Sequence, residues 1–438
     1  MNDYRFGNYL TDLRKRSGMT QQLLARRLGV TDKAVSKWEN GRSKPALTQL
    51  RKLSEIFRIS VDELVKMLEE NKMQITKIVI TGGPCAGKTT AMTRIQKEFE
   101  RRGYRVLFVS ETATELITGG VAPWTCGSNL DYQICQVGLQ KYKESVFEQA
   151  ASTMDSDKIL IVCDRGVLDN KAYMTQEEFD AVLRSLGTNE VAERDKYDAV
   201  FHMVTAAKGA LEAYTTANNE ARRETPEEAA ALDDKLIACW TGHPHLRVID
   251  NSGDFESKLR RTVAEISAFL GEPEPMEIER RYLIRFPDLL WLEDKPHCSK
   301  VDMIQTYLAA KPDGTEVRVR QRGQDGNFIC YKTEKRRISD MTNVEIDSRI
   351  NIQEYVSLLA EADPSRRPVH KTRYCLTENN RYYEIDIYPE WKKKAILEIE
   401  LRSEDEEVVL PEGIRVIREV TGDRTYSNYE MAKQMPEE

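Results

Sequence analysis

The chain has 438 residues, of which 31% are charged, and its formal net charge is −7 at pH 7. This length exceeds what one ordinary core organises, so two to four domains are expected. No apolar run approaches the ~20 residues of a membrane span, and the start has no signal-peptide pattern. The eight cysteines form no CxxC pair, so neither a zinc site nor a disulfide framework is indicated, and a cytoplasmic protein is expected.

The charge is unevenly distributed along the chain. Residues 1–73 hold 15 Lys and Arg against 9 Asp and Glu, which is +6, so the remainder carries −13. A small basic segment ahead of an acidic body favours nucleic acid as the partner of the first segment alone.

The first segment, residues 1–70, is predicted to form short helices. One helix is expected from about residue 4 to residue 16, and Thr20 and Thr31 are placed to cap two further helices on either side of Gly29. A helix, a glycine turn and a second helix with a basic outer face is the helix-turn-helix layout, whose second helix enters the major groove of double-stranded DNA. A helical bundle for protein contacts is the alternative.

The string TQQLLARRLGVTDKAVSKWENG resembles the Cro/C1 type of helix-turn-helix, the XRE family, over roughly residues 5–66. The resemblance implies a DNA-binding transcriptional regulator, commonly a homodimer. Gln21 and Asn40 would contact phosphates, while the second helix would reach base edges. The residues expected on the DNA side are Gln21, Thr31, Lys33, Ser36, Lys37, Asn40 and Arg42.

The second segment, residues 75–272, opens with a P-loop. The apolar run Ile78–Ile80 predicts a buried strand, and Gly82-x4-Gly87-Lys88-Thr89 follows it. Glycines let backbone amides surround phosphates, Lys88 reaches the terminal ones, and the Thr89 hydroxyl is a ligand for Mg²⁺. The residues predicted to bind ATP or GTP are Gly82, Gly83, Pro84, Cys85, Ala86, Gly87, Lys88, Thr89 and Thr90.

Further strands in this segment, RVLFVSE, KILIVCDRG and AVFHMV, alternate with helical stretches, which predicts an α/β domain with a parallel sheet. Asp164 ends its strand at the rim of the P-loop and is expected to hold the metal-bound water or to activate a hydroxyl. Glu111 is either a second acid there or a neighbour of a helix cap. Arg222 and Arg223 are either lid arginines that close on phosphates or solvated helix charges.

The pieces GGPCAGKTT, VSETATELI, CDRGVLDNKAY and WTGHPHLRVIDN resemble the AAA_28 or NadR-like family of P-loop ATPases and kinases. The resemblance implies NTP hydrolysis or phosphoryl transfer without identifying the acceptor. The catalytic candidates are Lys88, Asp164, Glu111, Arg222 and Arg223. His243 and His245 in the last piece suggest a metal, but ordinary loop histidines are the favoured interpretation.

The third segment, residues 276–438, alternates charged and apolar residues. EIERRYLI, VRVRQR, HKTRY, YYEIDIY and ILEIEL each place acidic or basic residues two apart, which puts them on one face of a strand. A cylinder of such strands would have an apolar outside and a charged inside. Carboxylates there can hold a divalent metal and basic side chains a polyphosphate. For any single strand, a solvated sheet face is the alternative.

EIERRYLI, RVRQR, CYKTE, KTRY, LEIEL and DRTYSN, in this order, resemble the CYTH domains, or triphosphate tunnel metalloenzymes. The resemblance implies an α+β fold with an eight-stranded antiparallel tunnel, Mg²⁺ or Mn²⁺ as cofactor, and a phosphorylated small molecule or polyphosphate as ligand. The implied metal ligands are Glu277, Glu279, Glu398 and Glu400; the implied phosphate ligands are Arg281, Arg318, Arg320, Lys332, Lys371 and Arg373, with Glu345 and Asp386 as acidic neighbours. Arg281 replaces the lysine of the family's Glu-x-Glu-x-Lys signature, which leaves catalysis open.

Two functions of different classes fit a multidomain chain of this kind. The first is a DNA-binding transcriptional regulator that binds an NTP at the P-loop and a phosphorylated ligand in the tunnel. The second is a small-molecule kinase or triphosphatase whose DNA-binding head is an anchor or autoregulator. A third interpretation, favoured by Arg281, is a tunnel that binds a phosphorylated group without chemistry.

Overall fold

The computed structural model describes residues 4–39, 43, 45–61, 64, 74–213, 225–272, 276–311, 314–401 and 403–438. The chain divides into two compact units. The first comprises residues 1–76, 100–107 and 146–160, and the second comprises residues 77–99, 108–145 and 161–438. No helix in the described ranges combines the length and the apolar character that a membrane crossing needs.

The N-terminal helices are those that the sequence predicts. They are α1 (Tyr4–Arg16), α2 (Gln21–Leu28), α3 (Asp32–Glu39) and α4 (Leu47–Phe57). The Thr20 side chain accepts a hydrogen bond from the Leu23 amide at 3.1 Å, and Gly29 ends α2 with φ +71°. The helices enclose a core of Phe6, Leu10, Leu24, Leu28, Val35, Trp38, Leu50, Leu53 and Leu64. The all-α helix-turn-helix prediction is confirmed.

A five-stranded parallel sheet follows, as the strand-helix alternation predicts. Its strands are β1 (Gln74–Thr81), β2 (Arg105–Val109), β3 (Lys158–Asp164), β4 (Ala199–Met203) and β5 (Leu246–Ile249), in the order β2-β3-β1-β4-β5. The intervening helices are Lys88–Arg101, Thr112–Thr118, Asn129–Ala151, Gln176–Ser185, Glu190–Arg194, Pro226–Trp240 and Phe255–Phe269, with 3₁₀ turns at Val167–Tyr173 and Leu211–Ala213. The central strand β1 is flanked by β3 and β4, so the P-loop that follows β1 lies where strand order reverses, the usual ligand position in such sheets.

The remaining strands form a closed antiparallel barrel. They are β6 (Met276–Arg285), β7 (Cys298–Tyr307), β8 (Glu316–Gln324), β9 (Asn327–Arg337), β10 (Thr342–Ile350), β11 (Val369–Glu378), β12 (Arg381–Ile387), β13 (Lys394–Leu401) and β14 (Val416–Glu419), with short helices at Leu289–Glu293, Ile352–Leu359 and Asn428–Met431. Strands β6 to β13 close through the pairing of Thr342 with Ile278, and β14 adds to β6. The predicted eight-stranded antiparallel tunnel is confirmed; the tunnel is the interior of this barrel.

The barrel has an apolar outside, as the period-two pattern predicts. Ile385, Ile399 and Leu401 pack in one outer cluster that includes Leu292 of the helix Leu289–Glu293. Val317 and Val319 pack in another, against Tyr355 of the helix Ile352–Leu359. Because apolar side chains occupy the outer face, the alternate positions on the same strands must point inward.

The barrel contacts the P-loop domain within the second unit through Asp195, which follows the helix Glu190–Arg194. Arg322 donates to the Asp195 carboxylate at 3.0 Å, Tyr331 donates to it at 3.3 Å, and Arg349 donates to the Asp195 carbonyl at 3.2 Å. Burial alone would raise the pKa of Asp195, but Arg322 and Arg194 hold it below the usual range. This buried ion pair joins the two domains, and removing Asp195 would leave the buried Arg322 guanidinium without its carboxylate partner.

Candidate nucleotide site, charged tunnel and DNA-binding face

The P-loop links β1 to the helix Lys88–Arg101. Gly82 has φ +141° and Gly87 has φ +90°, conformations that residues with a Cβ rarely adopt. A Cβ on Gly82 would lie 2.0 Å from the Met203 carbonyl oxygen, so the loop passes β4 at a distance that only glycine allows. The Lys88 ammonium donates to the carbonyl oxygens of Gly82 at 2.9 Å and Gly83 at 3.3 Å, which folds this side chain over the loop.

The structure brings Asp164 to the rim predicted for it, at the carboxyl end of β3. Its Oδ1 is buried and, among the described residues, has no hydrogen-bond partner. Burial raises the pKa of Asp164, Lys88 opposes this rise, and the charge of Glu111 adds to it. Thr89 is exposed at the start of the helix after the loop. An unpartnered carboxylate oxygen and a hydroxyl fit the oxygen ligands that Mg²⁺ takes.

Glu111 is held by its neighbours. It accepts from Arg165 Nε at 2.6 Å and from the Thr114 hydroxyl at 2.6 Å, and its side chain does not cap the helix Thr112–Thr118. Burial raises the pKa of Glu111, but Arg165, Thr114 and Lys88 outweigh burial and lower it to about 2. It is therefore a carboxylate at neutral pH, placed to orient Arg165 beside the P-loop. Arg222 and Arg223 lie outside the described residues.

Asp233 is a site residue that the motifs do not predict. It is fully buried in the helix Pro226–Trp240. Its Oδ1 accepts from the amides of Gly83 at 2.8 Å and Thr205 at 3.2 Å and lies 3.0 Å from His202 Nε2. Its Oδ2 lies 3.1 Å from the Lys208 ammonium. Burial would raise the pKa of Asp233, yet these partners lower it. This carboxylate therefore fixes the start of the P-loop.

The two histidines of the last motif do not form a metal centre. His243 Nε2 lies 3.0 Å from the Tyr197 carbonyl oxygen, and Nδ1 accepts from the His245 amide at 3.0 Å. Burial lowers the pKa of His243 to about 3, so the ring is neutral. Within the ranges that the structure describes, no three His, Cys, Asp or Glu side chains are grouped to hold a metal ion.

The tunnel is lined by both signs of charge, as the alternation predicts. The described lining contains seven carboxylates, from Glu277, Glu279, Glu345, Asp347, Glu384, Glu398 and Glu400, and seven basic side chains, from Arg281, Arg318, Arg320, Arg322, Lys335, Lys371 and Arg373. An inner cavity of about 50 Å³ lies among them. A second cavity of about 120 Å³ adjoins the inner cavity and is bordered by Arg337 and by residues 420–424. We call this second cavity the outer mouth.

Lys335 is the central cation of one carboxylate group. Its ammonium lies 2.7 Å from Glu277, 3.2 Å from Glu279 and 2.9 Å from Glu345. Burial and the neighbouring Glu345 raise the pKa of Glu277. Lys335 and Arg318, in contrast, outweigh burial and lower the pKa of Glu345.

Arginines bind the other carboxylates of the tunnel. Arg281 lies 2.9 Å from Glu398 and 3.6 Å from Glu279. Arg373 binds Glu398 at 2.9 Å and also binds Asp386, which Lys371 contacts as well. On β8, Arg318 lies 3.0 Å from Glu345, and Arg320 binds Asp347.

Of the implied phosphate ligands, Lys332 lies apart from the tunnel. It pairs with Val319, whose side chain belongs to the outer cluster, and its ammonium contacts Glu334 at 2.9 Å. The register puts Thr333 opposite Arg318, so Thr333 and Lys335 face inward. The implied role of Lys332 is wrong for this reason, and Lys335 is the basic residue that β9 contributes.

The implied metal ligands do not fit a divalent ion in this structure. Glu277 and Glu279 are engaged by Lys335, Glu398 by arginines, and Glu400 by Arg247 of β5. Each of these carboxylates is thus in contact with a cation of the chain itself, and Lys335 is shared between Glu277 and Glu279. A metal would have to displace those side chains before it could bind.

The residues predicted to contact DNA differ in their exposure and in their contacts. Lys33 and Lys37 are exposed on α3, Ser36 is half-buried, and Thr31 accepts from the Ala34 amide at 3.2 Å as a cap. Gln21 instead donates to Glu39 at 2.7 Å, and Glu39 also binds Arg14. Gln21 therefore contributes to packing α2 on α3. Asn40 and Arg42 lie outside the described residues.

Comparisons with known proteins support the first two domains. Residues 10–64 match the helix-turn-helix family, and residues 77–258 match a family described as an AAA domain. The chain is 35% identical over 80 residues to the HTH-type transcriptional activator BcrR of Enterococcus faecalis. It is 41% identical over 61 residues to the SPbeta prophage-derived HTH-type transcriptional regulator YonR of Bacillus subtilis (strain 168). These matches cover 17% and 14% of this chain, and 39% and 56% of the two relatives.

Among solved structures, the inorganic triphosphatase NE1496 is similar to this chain at 27% identity and a TM-score of 0.26, over 37% of this chain and 97% of that protein. The chain thus contains an XRE-type helix-turn-helix domain and an AAA_28 domain. The third domain is a closed antiparallel barrel whose interior is lined by charged side chains.

Replacing Asp233 by alanine should weaken nucleotide binding. The change leaves the buried Gly83 amide without its acceptor, at a cost of ~1–3 kcal/mol, which corresponds to a dissociation constant raised about 5- to 150-fold. Calorimetric titration with non-hydrolysable ATP and GTP analogues measures it. The control is Asp234→Ala, since Asp234 is 51% exposed and contacts Lys208 from outside the loop. Equal affinities in the two variants would remove Asp233 from the site.

Proposed function

We propose that this protein is a DNA-binding transcriptional regulator that binds a nucleoside triphosphate with Mg²⁺ at its P-loop and a phosphorylated ligand in its tunnel. The observation that carries the proposal is the basic outer face of α3 in a helix-turn-helix domain whose relatives BcrR and YonR are named as transcriptional regulators. A helix with exposed lysines enters a major groove readily, because lysines neutralise phosphates or meet base edges.

The nucleotide part of the proposal rests on the P-loop. Its glycines adopt backbone conformations that residues with a Cβ rarely adopt, and Lys88 lies over the loop. The buried Asp164 carboxylate has one oxygen that finds no hydrogen-bond partner among the described residues. Amides and the helix start bind the phosphates, Lys88 neutralises the terminal ones, and Thr89 and Asp164 would hold Mg²⁺ directly or through water. The bound metal supplies charge neutralisation at the γ-phosphate.

The tunnel part of the proposal rests on charge. Seven basic side chains of the described lining are already arranged around a narrow interior. One arginine can donate two hydrogen bonds to the oxygens of a phosphate, and its side chain stays charged. With a ligand of two or more phosphates, the arginines would exchange their carboxylate partners for phosphate oxygens. The basic lining supports anion binding whether or not the bound ligand is hydrolysed.

A second candidate function is that of an enzyme, an NTPase or a kinase, and Asp164 is the residue whose properties favour it. Its raised pKa and its oxygen, which has no hydrogen-bond partner in the described part of the chain, suit a group that binds a metal-held water or accepts a proton during phosphoryl transfer. In that case the helix-turn-helix domain localises or regulates the enzyme.

Asp164→Asn should lower ATP or GTP hydrolysis about 100-fold while changing the nucleotide dissociation constant only slightly. Hydrolysis by the unaltered protein should fall as pH drops through the raised pKa of Asp164, above the ~3.9 of an ordinary aspartate, because protonation removes the metal-binding charge. The measurement is phosphate release against pH. Lys88→Ala, as the matched control, should lose binding itself. Unchanged hydrolysis in both variants would exclude this site.

Lys37→Ala should relax the base preference of DNA binding at one or two positions, at a cost of about 1–3 kcal/mol for the preferred duplex. Selection of duplexes by the full chain, followed by fluorescence anisotropy at several salt concentrations, measures preference and affinity. Arg51→Ala removes the same charge from the exposed surface of α4 and should leave the preference intact. A selection that recovers no preferred sequence would contradict the regulator proposal.

A further inference from the structure

One end of the barrel, which we call the inner end, abuts the P-loop domain within the second unit. Thr377 near the end of β11 shares a 3.0 Å hydrogen bond with Thr241, and Tyr382 at the start of β12 donates to the His243 carbonyl at 3.1 Å. Arg322 near the end of β8 donates to the Gly242 carbonyl at 2.7 Å. These contacts, with those of Asp195, come from the five strands β8 to β12, so the P-loop domain lies over this end of the barrel.

The segment that covers the inner end also reaches the tunnel lining. Pro244 and His245 border the inner cavity, and His245 Nε2 lies 3.7 Å from Asp347. Arg247 on β5 binds Glu400, which lines the cavity on β13. Its guanidinium also lies 3.8 Å from Glu265, on the helix Phe255–Phe269 of its own domain. The P-loop domain therefore contributes a cation to the barrel.

The charges around Arg247 explain what this cation does. Glu277, Glu384 and Glu400 are the tunnel carboxylates that hold the pKa of Arg247 above its usual value against the effect of burial. Lys335 contacts Glu277 and Arg373 contacts Glu384, but Glu400 has Arg247 as its ion-pair partner in the described part of the chain. Without Arg247, the inner end would carry an unneutralised carboxylate, which repels anions and attracts cations.

We propose that Arg247 is a tunnel residue that the P-loop domain supplies, and that it acts as the counter-cation of Glu400. Its charge allows the inner end to bind the terminal phosphate of a ligand. The same charge competes with a divalent metal for the Glu400 carboxylate. This inference rests on the proposed binding of a phosphorylated ligand in the tunnel. Because the inner end is covered, such a ligand enters from the outer mouth with its terminal phosphate first. Long side-chain reach and a fixed charge make arginine suited to this role.

The test uses the full chain with Lys88→Ala, which removes the P-loop phosphate site from the signal. Arg247→Ala should raise the dissociation constant for tripolyphosphate in metal-free buffer about tenfold or more, measured by calorimetry. The same variant should lower the dissociation constant for Mn²⁺ about tenfold, measured by electron paramagnetic resonance of the free ion. Opposite changes in the affinities for anion and cation would show that the loss of the Arg247 charge is the cause, because a destabilised structure would bind both ions more weakly.

Matched variants separate the possible causes. Arg349→Ala removes an interface contact with Asp195 without touching the described lining, so it should change neither affinity. Arg247→Lys keeps the charge and should retain much of the tripolyphosphate affinity. Arg318→Ala removes a lining arginine of the barrel itself and should weaken tripolyphosphate binding whatever Arg247 does.

The outcomes are distinct. If Arg318→Ala weakens tripolyphosphate binding and Arg247→Ala does not, the inference about Arg247 is wrong and the tunnel proposal stands. If Arg247→Ala weakens both tripolyphosphate and Mn²⁺ binding, or if Arg349→Ala reproduces its effects, Arg247 is an interface residue only. If no form binds tripolyphosphate, the proposed tunnel ligand is wrong. A tighter Mn²⁺ site in Arg247→Ala would then still support the counter-cation.

Discussion

A buried charge must have a partner, and this constraint governs most of the second unit. An ionised side chain taken out of water costs several kcal/mol unless an opposite charge and hydrogen bonds replace its hydration. Each tunnel carboxylate of the described lining meets a lysine or arginine of the chain. Glu345 meets Lys335 and Arg318 of other barrel strands, and Glu400 meets Arg247 of the P-loop domain. The same requirement joins Arg322 of the barrel to Asp195 of the P-loop domain.

This internal pairing connects structure with function. Charges that satisfy one another keep the empty barrel stable, and the same charges can be re-paired by a ligand that brings phosphate oxygens. Under the proposed function, a ligand would gain only the difference between its own contacts and those it replaces, so its geometry and charge number would decide its affinity more than the area it buries. Arg247 and Lys335 show how a tethered cation can neutralise carboxylates that would otherwise attract a divalent metal.

The sequence predicts those parts of the fold that are encoded locally. The caps of α2 and α3, the glycines of the P-loop and the period-two alternation of the barrel each arise from residues close together in the chain, and each is confirmed. Glu111 could not be assigned from sequence, because its role depends on Arg165, which follows β3 and is 54 positions away in the chain.

The missed residues depend on long-range pairing. Lys332 and Lys335 differ by three positions, so only the register of β9 against β8 decides which side chain faces the tunnel, and sequence does not fix that register. Asp233 lies in LDDKL, which has the composition of a solvated helix face, yet its side chain is buried on the P-loop. Arg247 is recognisable only once the P-loop domain and the barrel are seen in contact.

The proposed regulator function requires that phosphorylated ligands change the affinity of the chain for DNA, and operator affinity with and without ligand tests this requirement most directly. The measurement is fluorescence anisotropy of a selected duplex titrated with the full chain under three conditions: without ligand, with a saturating non-hydrolysable nucleotide analogue, and with saturating tripolyphosphate. The same titrations are repeated with Lys88→Ala and with Arg320→Ala. A regulator should show a shift of about 5- to 150-fold, from a coupling of ~1–3 kcal/mol, that the matching variant abolishes. Superimposed curves under all conditions would contradict the account and leave an enzyme with a passive DNA anchor.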